Sequence, residues 1–507
     1  MSKKVFKPYH QGQVMLLPPS LDEMIEQGHP VRIVNEIIDQ IDITPLEKKY
    51  KGGGTSSYHP RMLLKVVVYS YLTNTFSSRK MEAAVKENIH FMWLSGMNKP
   101  DHNTLNRFRS ERLQDVLKQV FLQVVLLLVE HGLVDLKEVY LDGTKIEANA
   151  NRYTFIWGKA IRTSKERIRK QIDELWRYAQ QIASDELSDT APLQFEQIDP
   201  QTVKQTIDQI DQALRDKDVD KQVKQKINYA KKNWPQNLER YEQEENKLGN
   251  RNSMSKTDPD ASFMRMKEDY MKNGQLKPGY NLQISTQNQV ILNYSLHQTT
   301  ADTLTLPAHV DEFKNLYAVL PENLTADAGY GSEENYHYLE ENNIEAFVKY
   351  NYFHLEQKKV AKNDPFRKEN LYYNAEHDCF YCPMGQKMKA IGKKKRRSDN
   401  GYEQTYVKYQ AQNCQDCPLR GLCHQQKANR TIEVNHKLRR YKEHVRELLL
   451  SDLGLRHRKQ RPADVEAVFG AIKHNKNFRR FMLRGLKKVE IESGLLAIAH
   501  NLAKMIN

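Results

Sequence analysis

The chain has 507 residues, of which 39% are hydrophobic and 28% charged, a composition of globular rather than fibrous or disordered proteins. That length suits two to four domains, and its longest apolar stretch, Val124–Val129, falls far short of the roughly 18 residues a membrane span needs. Lysine and arginine number 78 against 64 aspartate and glutamate, and the excess is confined to the end: residues 351–507 hold 33 basic and 16 acidic residues, whereas residues 1–350 hold 45 and 48. Such asymmetry points to an anionic polymer partner, most simply nucleic acid, with a solubilising surface as the other reading. Met1-Ser-Lys-Lys opens no apolar signal segment, so the expectation is a cytoplasmic protein with no membrane association.

Residues 1–130 read as helical. Leu21–Ile43 has apolar residues at helical spacing. Tyr58-His-Pro-Arg opens a second helix with Pro60 in its first turn, and Ser77 is placed to cap a third. Gly96–Thr104 reads as a turn, followed by one long helix from about Asn103 to Glu130. A turn between two helices has helix-turn-helix character. Asn106, Arg107, Arg109 and Arg112 then fall on the first turns of the second helix, where DNA would be met. A plain helical hairpin with a solvated basic face fits the same residues.

From Lys137 to Ile146 the period changes to two, as in a strand. Residues 159–250 return to helix, with stripes at Ile161, Ile168, Ile172 and Leu175 and again at Val203, Ile207 and Ile210, as in an antiparallel hairpin. Tyr280–Thr286 and Gln289–Leu296 read as two strands joined at Gln287-Asn288. A helix follows, then a strand ending in Asp327-Ala-Gly-Tyr-Gly, a helix over Asn335–Asn342 and a strand over Ile344–Tyr350. The last 70 or so residues are helical again.

Acidic residues at strand ends of an α/β core suit phosphodiester chemistry, which uses two divalent ions about 4 Å apart held by a few carboxylates. Asp142 lies inside a strand, where aspartate is a poor fit, and Gly143 follows it. Asp327 precedes glycines that permit a sharp exit. Glu466 borders the apolar stripe Val465, Val468, Phe469 and Ile472, and Lys473 lies seven residues on, near the same face. Asp464 is a neighbouring rival. Taken singly, each aspartate could equally be a turn cap, and Glu466 and Lys473 could be solvated.

These stretches resemble bacterial insertion-sequence transposases of the DDE class, which have an RNase H-like catalytic core. Tyr58-His-Pro-Arg-Met-Leu-Leu-Lys, Ser77-Ser-Arg-Lys-Met-Glu and Pro100-Asp-His-Asn-Thr-Leu-Asn-Arg-Phe-Arg resemble the N-terminal helical domain of that family. Tyr140-Leu-Asp-Gly-Thr-Lys, Ala326-Asp-Ala-Gly-Tyr-Gly-Ser and Val465-Glu-Ala-Val-Phe-Gly-Ala-Ile-Lys resemble its three catalytic motifs. The resemblance implies Asp142, Asp327 and Glu466 as the Mg²⁺ (or Mn²⁺) triad. It also implies cleavage of element ends, joining to target DNA, and a homodimer on double-stranded DNA at the nucleoid. Lys473, Arg461, Arg479 and Arg480 would contact phosphates. Pro462 and Lys459 stand where relatives carry Arg and Tyr, with Arg461 and Arg458 as the nearest substitutes. A nuclease that cuts without joining, and a zinc-containing DNA-binding regulator without catalysis, are the rival readings.

All five cysteines lie together: Cys379-x2-Cys382, Cys414-x2-Cys417 and Cys423. Two CxxC pairs suggest a structural Zn²⁺ site of ribbon type with one cysteine spare; Cys423 or His424 could replace a member of a pair. Reduced thiols in a poorly ordered insertion are the alternative. The expected organisation is an all-α DNA-binding domain (1–130) and a first part of an RNase H-like α/β core (131–350, with a helical insertion at 159–250). A basic cysteine-rich, zinc-ribbon-like insertion (351–440) and the C-terminal part of the core (441–507) complete it.

Overall fold

The computed structural model describes residues 19–51, 56–183, 199–266 and 274–506. The readings made on Met1–Lys4 and on 184–198 of the helical excursion lie outside them. No helix among the described residues is long and apolar enough to cross a membrane.

The helices that open the described residues include α1 (Pro30–Gln40), α2 (Pro60–Leu72), α3 (Ser78–Glu87), α4 (Ile89–Leu94), α5 (His102–Arg107) and α6 (Leu117–Glu130). Pro60 occupies the first turn of α2, where no N–H is needed, and His59 Nδ1 accepts from the Arg61 amide at 3.2 Å. Ser77 stands at the cap position of α3 but makes no capping bond. Asp101 does cap α5, its Oδ1 accepting from Thr104 N at 2.8 Å. The expected long helix is divided. α5 runs into a π-turn at Phe108–Arg112, and Asp115, at φ 61°, takes a left-handed conformation that no helix can continue through.

A mixed sheet lies at the centre. β1 (Glu138–Glu147) pairs antiparallel with β5 (Leu276–Gln287), from Tyr140↔Thr286 to Glu147↔Gly279. On its other side β1 runs parallel to β7 (Asn323–Ala326), and β7 parallel to β8 (Glu345–Val348). The outer edge of β5 is shared by β4 (Ser262–Arg265) and β6 (Val290–His297), both antiparallel. The turn between β5 and β6 is Asn288-Gln289, both with positive φ, so the tight two-residue turn falls one residue later than the sequence suggested. β1 and β5 are buried on both faces. The helices at Leu306–Tyr317 and Leu486–Ile506 both pack against β6.

Among the described residues the excursion holds three helices where two were expected: α7 (Gly158–Ile182), α8 (Pro200–Ala213) and α9 (Lys221–Leu248). They bury a separate apolar cluster built on Ile172, Trp176, Ile207, Ile210, Trp234 and Leu238. Short strands β2 (Phe155–Trp157) and β3 (Ser253–Ser255) close its base. α10 (Leu306–Tyr317) and α11 (Glu333–Glu341) connect the later strands of the central sheet.

The cysteine-bearing stretch is an antiparallel sheet of five strands in the order β13-β12-β11-β10-β9: β9 (Tyr373–Asn374), β10 (Cys379–Tyr381), β11 (Lys387–Arg397), β12 (Glu403–Ala411) and β13 (Thr431–Val434). Lys393–Arg397 form the exposed end of β11. The chain closes with α12 (His436–Leu450), α13 (Asp452–Arg461), α14 (Ala467–Gly470) and α15 (Leu486–Ile506). π-turns at Pro462–Glu466 and Ala471–Asn475 interrupt the helical run around α14.

Candidate active site

Asp142, Asp327 and Glu466 come from three elements and meet one guanidinium. Arg461, the last residue of α13, reaches Asp142 Oδ2 at 3.1 Å, Asp327 Oδ2 at 3.9 Å and Glu466 Oε1 at 2.9 Å. The π-turn explains the last of these. The wider π-turn, with its i→i+5 hydrogen bonding, brings Arg461 and Glu466 closer to one face than an α-helix would. Asp142 is buried on β1, and its Oδ1 accepts from the Gly143 amide at 2.8 Å. Asp327 leaves β7 and caps a short turn, accepting from Gly329 N at 2.8 Å. Its side chain and that of Glu466 are about half exposed, at 43% and 53%, so the site opens to solvent on their side.

A further carboxylate, unsuspected from sequence, lies beside the glycines that follow Asp142 and Asp327. Asp302 follows β6, and its Oδ1 accepts from Asn281 Nδ2 at 2.7 Å and Gln283 Nε2 at 3.1 Å. A Cβ on Gly143 would lie 2.9 Å from that same oxygen and 2.2 Å from Gln283 Nε2. A Cβ on Gly329 would lie 2.9 Å from Asp327 Oδ1 and 4.0 Å from Asp302 Cβ. The glycines after Asp142 and Asp327 therefore leave room for a neighbouring carboxylate. The only local signal was an aspartate opening a helical turn, which reads as a cap.

The surroundings are polarised. The Tyr330 hydroxyl donates to Gln283 Oε1, and burial, then the charges of Asp302, Asp142 and Asp327, hold its pKa well above the usual tyrosine value. Burial, then the cations Arg461 and Arg458, push Lys349 below the ordinary lysine value, against an opposing pull from Asp327 and Glu466. Asp464, the rival acid, is fully buried and structural: its Oδ1 accepts from Thr286 Oγ1 at 2.6 Å and Gln289 N at 3.1 Å.

Carboxylate oxygens are the hard donors that Mg²⁺ takes, and three carboxylates lie within 4 Å of one guanidinium, so the donor type suits a divalent ion. As they stand, no three His, Cys, Asp or Glu side chains among the described residues are gathered tightly enough to grip a metal; at the triad a guanidinium sits between them.

Two expected DNA contacts are turned inward. Arg461 spends its guanidinium on the triad. Arg109 is buried, donating to Tyr71 Oη at 3.1 Å and Phe76 O at 2.7 Å, because the π-turn rotates it toward the core. Arg107 is exposed on α5. Lys473, Arg479 and Arg480 line a common cavity of about 250 Å³.

Of the cysteines, Cys382, Cys414, Cys417 and Cys423 line one cavity of about 20 Å³ together with His424. Cys379 does not; it is buried on β10, paired across the ladder with Lys389 and Asn374. Arg430 donates from its backbone N to Cys414 Sγ at 3.4 Å and from Nη1 to Cys423 Sγ at 3.0 Å. All five are free thiols.

Comparison with known families matches residues 381–506 to a model described as Transposase DDE domain and residues 19–111 to one described as Transposase domain (DUF772). Neither the curated proteins nor the solved structures compared gave a match. The first match contains Glu466, Arg461 and four of the five cysteines; the second contains helices α1 to α5. Together, the two matches indicate an insertion-sequence DDE transposase.

Proposed function

We propose that the chain cuts the ends of an insertion element and joins them to target DNA at Asp142, Asp327 and Glu466. One observation carries this reading: three carboxylates from β1, the end of β7 and the helix after α13 converge on a single cation. The order β6-β5-β1-β7-β8, with β1, β7 and β8 parallel, supports an RNase H-like core. In it, Asp142 lies on β1 and Asp327 directly follows the neighbouring strand β7.

Asp142, Asp327 and Glu466 would hold Mg²⁺ or Mn²⁺, which supplies charge neutralisation and an activated oxygen nucleophile when bound. The chain's own part is positioning. Asn281 and Gln283 hold Asp302 beside Gly143, and the backbone amides of Gly143 and Gly329 each fix one carboxylate oxygen. Thr303 Oγ1 donates to Gly329 O at 2.6 Å, tying the Asp302 turn to the Asp327 turn. Water would first hydrolyse the phosphodiester at the element end, leaving a 3′ hydroxyl and a 5′ phosphate; that hydroxyl would then attack a target phosphodiester in line and displace the target strand's own 3′ oxygen, with no covalent protein intermediate.

The wider organisation follows. The N-terminal helices and the basic C-terminal third would bind double-stranded DNA, in a homodimer holding two element ends, at the nucleoid. The thiols of Cys382, Cys414, Cys417 and Cys423 would hold a structural Zn²⁺. They ring a cavity of one-ion size, and Arg430 donors face two of the sulfurs, which favours thiolates.

A cleavage and joining assay with Mg²⁺, on DNA carrying the ends that flank the encoding gene, tests the proposal. Wild type should cut and join, whereas Asp142→Ala, Asp327→Ala and Glu466→Ala should only bind. Cutting without joined product would favour a nuclease. Four proteins that bind alike and never cut would favour a regulator.

A further inference from the structure

Two members of the triad are carried on separate runs of chain. Asp327 leaves β7 and leads, through the turn at Ala328–Tyr330, into α11, where the Ser332 cap accepts from Asn335 N at 3.2 Å. Glu466 lies just beyond α13, which packs on α12. Between these two runs the chain inserts the cysteine-bearing sheet, β9 to β13.

One buried carboxylate joins both runs to the sheet. Glu333, the first residue of α11 and six positions beyond Asp327, is 2% exposed. Its Oε2 accepts from Asn435 Nδ2, and its Oε1 accepts from Tyr402 Oη at 3.2 Å. Asn435 directly follows β13 and caps α12, its Oδ1 accepting from Leu438 N at 2.9 Å. Tyr402 ends the turn between β11 and β12, and its hydroxyl accepts from Lys437 Nζ of α12 at 2.8 Å. In the same turn, Asn400 Nδ2 donates to Glu334 Oε1 at 3.0 Å.

A carboxylate taken out of water against an amide and a phenol is a costly way to fill space. What it adds is direction. Its two oxygens accept from donors on two different elements, so one seating of α11 satisfies all the groups at once. That seating is passed back toward Asp327 through a short, stiff link: Asn335 Nδ2 donates to Tyr330 O at 2.8 Å and to Thr303 O at 3.0 Å.

We propose that Glu333 is a positioning residue for the triad. It holds the run that carries Asp327 against the run that carries Glu466, and through it the cysteine-bearing sheet sets the distance between those two carboxylates. The inference rests on the proposed metal-holding role of Asp142, Asp327 and Glu466. It gives the sheet a part in the reaction that is separate from contact with DNA.

The test reads Mn²⁺ binding to the full chain without DNA, by calorimetry, beside the Mg²⁺ concentration for half-maximal cleavage. Glu333→Ala removes both acceptors and should weaken Mn²⁺ binding, and raise the Mg²⁺ requirement, by about tenfold. Glu333→Gln can still accept from Asn435 Nδ2 and donate to Tyr402 Oη, so it should restore both toward wild type. Tyr402→Phe changes the sheet and leaves α11 intact, and it should weaken Mn²⁺ binding severalfold. Ile207→Ala, in the separate apolar cluster of the helical excursion, is the control for lost stability and should bind Mn²⁺ as wild type does.

A Glu333→Ala protein that melts lower yet binds Mn²⁺ as Ile207→Ala does would make the carboxylate a structural group only and overturn the proposal. Unchanged Mn²⁺ affinity in Tyr402→Phe would overturn it as well, and that variant decides the matter if Glu333→Ala does not fold. Failure of the triad reading shows separately, because Asp142→Ala would then bind Mn²⁺ as tightly as wild type.

Discussion

Arg461 Nη2 lies 3.1 Å from Asp142 Oδ2, and both side chains are more than nine-tenths buried, at 7% and 8% exposure. This is the innermost contact of the candidate active site. It joins residues 319 positions apart in sequence, and the Arg461 bonds to Asp327 and Glu466 are built outward from it.

Removing that guanidinium should expose how much the triad depends on it. Asp142 would be left as a buried charge without its cation, whereas Asp327 and Glu466 are half exposed and lose little. Arg461→Ala should therefore lose about 3 kcal/mol of stability in the absence of metal, nearly all of it from Asp142. Mg²⁺ should raise its melting temperature more than it raises that of wild type. Equal shifts in the two proteins would separate Arg461 from the carboxylates proposed to hold the metal.

Asp302 can be dissected with two substitutions. Asp302→Asn keeps an oxygen for Asn281 and Gln283 while removing the charge, so melting should change by less than about 1 kcal/mol. If Asp302 helps to hold the metal, the Mg²⁺ concentration for half-maximal cleavage should rise by about tenfold, the equivalent of about 1.4 kcal/mol. Asp302→Ala strands two fully buried amide donors and should cost about 1–3 kcal/mol in addition. An unchanged Mg²⁺ requirement in Asp302→Asn would make this residue an anchor for β5 alone.

The cysteine assignment predicts a specific pattern of metal content. Wild type purified without chelator should carry one Zn²⁺ per chain. Serine at position 382, 414, 417 or 423 should abolish it, whereas Cys379→Ser should retain it. Loss in Cys379→Ser with retention in Cys423→Ser would restore the arrangement suggested by the two CxxC pairs.

Acid stability should be governed by buried histidines. His500 donates from Nε2 to Gln289 O at 2.9 Å, and burial pushes its pKa down to about 4. Burial likewise takes His297 down to about 4 and His309 well below the usual value. Each binds its proton more readily when unfolded. Their stabilisation is therefore fully present above the ordinary histidine value near 6.5 and is lost as pH falls toward about 4. His500 alone accounts for a loss on the order of 3 kcal/mol. Melting temperature should fall across that window, and His500→Gln, which can still donate to Gln289 O, should flatten the fall.

Much of the framework is legible along the chain, because its causes are local. Pro60 and Asp101 mark helix starts by backbone chemistry that needs no tertiary partner. The period-two run around Asp142 is a strand because alternation and β-branching act on neighbours. Arg109 shows the limit. Its placement on a basic helix face followed from assuming an unbroken helix, and one π-turn with a left-handed Asp115 reverses the direction in which it points.

By itself, the sequence determined which residues are chemically able to act: the acids at strand ends, the glycines beside them, the cluster of thiols and the basic final third. Only the tertiary structure decided which of them meet. Arg461 becomes the hub of the triad because a π-turn adds a residue to one turn of helix and the sheet brings β1 against it. Asp302 is held beside Gly143 by buried amides on β5, and Cys423 rather than Cys379 lines the cavity with Cys382, Cys414 and Cys417, because a strand ladder holds Cys379 elsewhere. These are contacts between residues tens to hundreds of positions apart. They depend on packing and ladder register, and no local pattern encodes either.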